Sequence, residues 1–155
     1  MRSLRFLTFI IAFLVVVGIV GSVFALVPQP VALKAKLKVD GTTLSGTDPT
    51  YKIKVKSTSG TEFAPVDTTG STFGNVIAGR FSYNIPKYDG ADQPNGAKTD
   101  EKACLEVYHT EGGADRKLTM SYPAQGTCPS GSGEITVTAD GTTIGFGISG
   151  TTTFP

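Results

Sequence analysis

The sequence predicts an all-β fold: a two-sheet antiparallel sandwich, preceded by an N-terminal hydrophobic helix. Three observations carry this expectation. Apolar residues recur at every second position in seven separate runs, and after residue 30 none recurs at helical spacing. The runs are short and are separated by turns rich in Gly, Pro and Asp. Glycine is abundant at 19 residues, Thr and Ser are frequent, and tryptophan is absent, a composition of turns and β-branched strands rather than of disorder. With 155 residues the chain holds one domain and a leader.

The leader is residues 1–25. Arg2 and Arg5 precede the uncharged run "FLTFIIAFLVVVGIVGSVFA", with small residues close to Val23 and at Ala25. That order predicts a secretory signal peptide. The apolar run is also about 19 residues long, enough to span a bilayer, so an uncleaved anchor through residues 6–24 is the alternative. Both place the rest of the chain outside the cytoplasm, in the extracellular space or in the cell envelope or periplasm. There is no cysteine beside the leader to carry a lipid, and no glycine-then-glutamate arrangement of a type IV pilin leader. Residues 26–30, ending in "VPQP", form an extended linker, and 31–155 form the domain.

The first strand is Val31–Val39, with Leu33, Ala35, Leu37 and Val39 inward and Lys34, Lys36 and Lys38 outward. The second is Tyr51–Lys56, with Tyr51, Ile53 and Val55 opposite Lys52, Lys54 and Lys56. A long Ser/Thr/Gly segment, Thr58–Gly79, is expected to hold an edge strand around Glu62–Val66, pinned by Phe63, Val66 and Phe73. The third strand, Arg80–Ile85, turns Phe81, Tyr83 and Ile85 inward and stops at Pro86, which has no ladder donor. A loop, Pro86–Asp100, follows. The fourth strand is Lys102–His109, with Leu105 and Val107 inward; the fifth is Lys117–Tyr122, with Leu118, Met120 and Tyr122 inward. The sixth is Glu134–Ala139, with Ile135, Val137 and Ala139 on one face, and the last is Thr142–Phe154. Two segments nearly repeat, "VDGTTL" at Val39–Leu44 and "ADGTTI" at Ala139–Ile144. Asp-Gly suits a tight hairpin, and the second copy is expected to join the sixth and seventh strands directly. Cys104 and Cys128, an even count in an exported chain, predict a disulfide closing a loop of about 25 residues, worth roughly 3–4 kcal/mol.

The order "KLKVDGTTL", "YKIKV", "GRFSYNIP", "KACLEVY" resembles carboxypeptidase-regulatory-like domains, the transthyretin-like or immunoglobulin-like sandwiches of exported proteins. Gly79-Arg-Phe81-Ser-Tyr83-Asn-Ile85-Pro86 is similar to their Gly-x-Phe-x-Leu-x-Val-Pro strand, and the likeness covers Val31 to Tyr108. It implies an immunoglobulin-like/transthyretin-like sandwich with a structural role, attached to something else, and no catalytic residues.

The residues themselves also point away from catalysis. His109 is the single histidine and lies in a predicted strand, a rim position rather than that of a general base. No glycine-rich phosphate loop precedes a helix. In "YDGADQPNGAKTDE", Asp89, Asp92, Asn95 and Asp100, with Glu101, supply oxygens for a candidate calcium loop, although the spacing is not that of an EF-hand and Asp and Asn also favour plain turns. No other cofactor is expected.

The two lysine trios raise the main question. If their strands pair, six like charges share one wet surface, a destabilising arrangement unless something offsets it. Residues 26–60 hold six lysines against two aspartates, net +4; residues 61–155 hold six basic and eleven acidic residues, net −5. One reading is a solvated face whose edge lysines block aggregation. A second is binding to an anionic surface polymer; nucleic acid is disfavoured because no aromatics are interleaved to stack bases. A third is self-association, the basic part of one copy meeting the acidic part of the next in a head-to-tail assembly. The last strand, with Ile144, Phe146 and Ile148 on one face and Gly145 and Gly147 on the other, is a candidate assembly strand or an ordinary closing strand. The expectation is an exported, non-catalytic structural or binding module of the cell envelope or an extracellular appendage, such as a filament subunit or its protein partner. The alternative is a binder of carbohydrate or another anionic surface polymer; a small hydrolase or a protease inhibitor is a third class.

Overall fold

The computed structural model describes residues 28–44, 47–64, 74–77, 79–90 and 92–153. Residues 1–27, where the leader and its hydrophobic helix are expected, and Val66 and Phe73 lie outside the described residues. Among the described residues no helix is long and apolar enough to cross a membrane. The strands are β1 (Val31–Val39), β2 (Thr42–Thr43), β3 (Thr47–Ser57), β4 (Gly74–Ile77), β5 (Arg80–Ile85), β6 (Lys102–Glu111), β7 (Ala114–Lys117), β8 (Thr119–Tyr122), β9 (Gly133–Thr136) and β10 (Thr143–Thr151).

The fold is all-β and sandwich-like, in two layers. One layer runs β5-β1-β10-β8, with β2 against the end of β1; the other places β3 on one side of β6, and β7 and β9 on the other side. β4 pairs with both β3 and β5 and so links the layers. Alternation sets the faces: Val31, Leu33, Ala35, Leu37 and Val39 are buried between exposed lysines. They meet Phe81, Tyr83 and Ile85 of β5, Ile53 and Val55 of β3, and Leu105 and Val107 of β6 in one core. Phe63 joins that core, and its carbonyl accepts the buried Tyr83 hydroxyl at 3.0 Å. Glu62 forms an isolated antiparallel bridge to Lys56 and the Phe63 N–H donates to the Val55 carbonyl at 3.1 Å, while the rest of the expected edge strand, from residue 65 on, lies outside the described residues.

Three expectations are corrected. First, β1 and β10 pair in parallel, from Ala32↔Thr143 to Val39↔Gly150, so the sandwich is not wholly antiparallel. Second, the two Asp-Gly turns differ. Asp40 and Gly41 both have positive φ, 48° and 79°, and close the β1–β2 hairpin as a primed turn requires. At the second site β9 pairs with β6 while β10 pairs with β1, so Asp140-Gly141 carries the chain between layers instead. Ala32 N–H to the Thr142 carbonyl (3.0 Å) and Gly141 N–H to the Gln29 carbonyl (3.3 Å) fix that entry beside the start of β1, which is why β10 lies parallel to it.

Third, the expected strand Lys117–Tyr122 is broken at Leu118: β7 belongs to β6 and β8 to β10, so the chain changes layer there. Within β8 the register shifts. Met120 faces Gly150 and Tyr122 faces Ser149, which sets two residues of β8 against a one-residue step of β10. Such a bulge re-aims a side chain. Tyr122 therefore points outward, 56% exposed, and not into the core beside the buried Met120. Ala139 is likewise exposed, beyond the end of β9.

Candidate functional site

β1 and β3 do not pair, and the six lysines do not form one surface. The trios lie in different layers and in different electrostatic settings. On β3, Lys52 meets Asp115 at 3.1 Å, Lys54 meets Glu62 at 3.3 Å and Lys56 meets Glu106 at 2.7 Å. The acidic remainder of the chain thus neutralises these three lysines within the same copy.

The β1 trio is exposed. Cross-strand register sets its neighbours on the outer face of the first layer. One row is Thr43, Lys38, Ser149 and Tyr122; the next is Arg80, Lys36 and Gly147; the third is Ser82, Lys34 and Gly145. These rows hold four cations and no carboxylate. Among the described residues no acidic side chain pairs with Lys34, Lys36, Lys38 or Arg80. Arg80 stands directly across from Lys36, a like-charge pair that costs the sheet stability.

The face is not flat. A groove of about 240 Å³, open on one side, lies between Lys36 and Lys38, Thr43, Ser149 and Tyr122, over Gly147. A Cβ at Gly147 would meet nothing within 4 Å, and one at Gly145 would meet only the Lys34 carbonyl oxygen at 3.9 Å. No neighbouring atom in the described chain fills the space those glycines leave.

The opposite layer carries a buried polar cluster. Cys104, Glu106 and Tyr108 alternate on the outer side of β6, and Cys104 is bonded to Cys128 in the segment between β8 and β9. That segment is drawn over β6 and shields Glu106, which is 4% exposed. Lys56 (2.7 Å) and the Tyr108 hydroxyl (2.6 Å) reach one carboxylate oxygen; Lys117 (3.6 Å) and the buried Ser132 hydroxyl (3.3 Å) reach the other. Burial alone raises the Glu106 carboxyl pKa, but the hydrogen bonds of Lys56 and Tyr108 and the charges of Lys56 and Lys117 outweigh it and hold the carboxyl below its ordinary value. Burial and the Glu106 carboxylate push the Tyr108 hydroxyl well above its ordinary value. Glu134 fastens the same segment, accepting the Thr127 hydroxyl at 2.6 Å and its N–H at 2.8 Å. These bonds, with Lys102, hold its carboxyl down to about 2.

Both carboxyls are depressed on folding, so both add stability above the unfolded value of 4.5 and lose it as pH falls toward their folded values. The denaturant midpoint is expected to be level at neutral pH and to fall steeply from about pH 5 downwards. Urea titrations at several pH values check this, and Glu134→Gln should flatten the acid limb. A midpoint constant from pH 7 to 3 would show that neither carboxylate supports the fold.

The remaining sequence-derived positions fall as follows. Asp89 and Asp92 shape a tight turn, with Asp92 N–H and Gln93 N–H donating to the Asp89 carbonyl. Asp100 donates its N–H to the Val137 carbonyl. Among the described residues no three His, Cys, Asp or Glu side chains gather to hold a metal, so Asp89, Asp92 and Asp100 are not brought together, and Asn95 lies exposed in the same loop. His109 stacks on Tyr51, ring centroids 4.6 Å apart. The sequence alone does not single out Arg80, Tyr122 or Glu106 as site residues. Alternation in "RFSYNI" already turns Arg80 outward, but only the pairing of β5 with β1 brings it to the lysines.

No protein-family model matches the chain, and no curated protein and no solved structure matches it.

Proposed function

We propose that this chain is an exported, non-catalytic binding module of the cell envelope or extracellular space that holds an anionic surface polymer on the outer face of β5-β1-β10-β8. The observation that carries this reading is the set Lys34, Lys36, Lys38 and Arg80 on cross-strand rows that hold no carboxylate among the described residues. A solvated face gains nothing from opposing Arg80 to Lys36, whereas a polyanion converts that repulsion into attraction. Head-to-tail assembly of basic on acidic parts has less electrostatic support than six unpaired lysines would give it, because the β3 lysines meet acids in the same chain. The leader read from residues 1–25 supports export, and the likeness of Val31–Tyr108 to carboxypeptidase-regulatory-like domains supports a non-catalytic module attached to a larger structure.

The test is binding to a polyanionic matrix across salt. Lys36→Glu should weaken binding about tenfold, some 1.4 kcal/mol, and make what remains less sensitive to salt, because fewer cations engage the polymer. Arg116→Glu makes the same charge change on the other layer, where Arg116 faces Glu111, and should stay within about twofold. Equal effects of the two substitutions would remove the face from the mechanism.

A second reading, a filament subunit, is favoured by one feature. The ladder from β10 to β8 covers only Ser149–Thr151, so among the described residues Thr143–Ile148 pairs on the β1 side alone. An edge of this kind accepts an added strand. Size exclusion and electron microscopy across salt separate the readings: a monomer at every concentration disposes of the filament.

A further inference from the structure

We infer that the groove beside Tyr122 is a subsite for one carboxylated sugar ring, a uronic-acid unit of an acidic polysaccharide; this rests on the polymer-binding reading above and names its ligand. Three features meet there. Tyr122 is turned outward by the β8 bulge and is 56% exposed, a large aromatic face among cross-strand neighbours that are otherwise lysine, arginine, serine, threonine and glycine. An aromatic face packs against the apolar C–H face of a pyranose while its hydroxyl stays wet. Lys36 and Lys38 stand across the groove, and no described acidic side chain pairs with them. They supply donors for a carboxylate, with the Thr43 and Ser149 hydroxyls beside them for ring hydroxyls.

The floor is the third feature. Gly147 has an ordinary extended backbone in mid-strand and nothing within 4 Å of a Cβ, so neither turn geometry nor crowding calls for glycine. Glycine there weakens the strand. What it provides is depth beneath Tyr122 and between the lysines. The volume, about 240 Å³ and open on one side, falls below the ~300–1,000 Å³ that encloses a whole small ligand. It suits one unit of a chain that continues over the face toward Lys34 and Arg80. A phosphate polymer would satisfy the cations and leave the aromatic face and the floor unused, so the carboxylated sugar is the better match.

The experiment measures binding of the full chain to oligomers of galacturonate and mannuronate, and to inorganic polyphosphate of similar charge. Tyr122→Ala should weaken uronate binding tenfold or more and polyphosphate binding less than twofold. Gly147→Thr should raise the melting temperature, because a β-branched residue replaces glycine in open space, and should weaken uronate binding to a similar degree. If both variants keep wild-type uronate affinity, or if polyphosphate alone binds, the subsite is overturned while the polyanion face stands. If the wild-type chain binds neither class, both readings fall. The raised melting temperature of Gly147→Thr shows that its loss of binding is not a loss of folding.

Discussion

Replacing both cysteines, Cys104→Ser with Cys128→Ser, is expected to remove about 3–4 kcal/mol of stability, more than the loss of any one ion pair in the domain. The cross-link spans a sequence separation of 24, and opening it returns that loop's freedom to the unfolded chain. The native side also suffers. The tethered segment is the roof over Glu106, and without the bond it is held by Glu134 through Thr127, by the Lys117 ammonium on the Ser130 carbonyl (2.7 Å) and by the Ser132 hydroxyl. Urea unfolding of the oxidised, reduced and double-serine forms makes the comparison, with the two forms that lack the cross-link expected to agree. A loss below about 1 kcal/mol would mean that those hydrogen bonds, and not the disulfide, hold the roof.

Glu106→Gln is expected to cost about 2–3 kcal/mol. The amide keeps the shape but not the charge, so Lys56 and Lys117 face a neutral group, and its NH₂ presents a donor to donors. Removing one partner of a buried charge cluster leaves the other unpaired, which costs more than the cluster contributes when intact. Lys56 is about a quarter exposed, which brings the figure below the ~3–5 kcal/mol lost when a fully buried pair is broken. Glu111→Gln is the control, because its pair with Arg116 is open to solvent on both sides and should be worth under about 0.5 kcal/mol. The Glu106 and cysteine effects should not add, since roof and network share the same residues. Additive losses, or a cost under about 0.5 kcal/mol for Glu106→Gln, would show that the network is incidental.

Period-two alternation was enough to place the core. Leu33, Leu37, Ile53, Val55, Phe81, Ile85, Leu105 and Val107 are inward as their strands predict, and β1 and β5 have the ends expected of them. Alternation speaks only about the two sides of one strand, and the misses came from relations between strands. That β1 lies beside β10 and β5 rather than β3 is set by a crossover, and it decides which lysines meet acids. "DGTT" occurs twice with the same local chemistry, yet one copy closes a hairpin and the other changes layer, because the neighbouring strands differ. Tyr122 obeyed its period until a bulge, a feature of pairing, reversed it. The candidate site was therefore half legible: the β1 lysines and Gly147 stood out, while Arg80 and Tyr122 came to them only through register.

The parallel pairing of β1 with β10 has a mechanical side. The N-terminal end of β1 and the C-terminal end of β10 lie at opposite poles of the layer, nine residues or roughly 30 Å apart. Tension applied at Val31 and Thr151 runs lengthwise down the shared ladder, Ala32–Val39 against Thr143–Gly150. Its hydrogen bonds then resist together in shear, instead of opening one after another as a hairpin does when peeled from its ends. A domain gripped at one pole and loaded at the other would bear that load on the longest continuous seam among its described strands, directly beneath the lysines and glycines of the outer face.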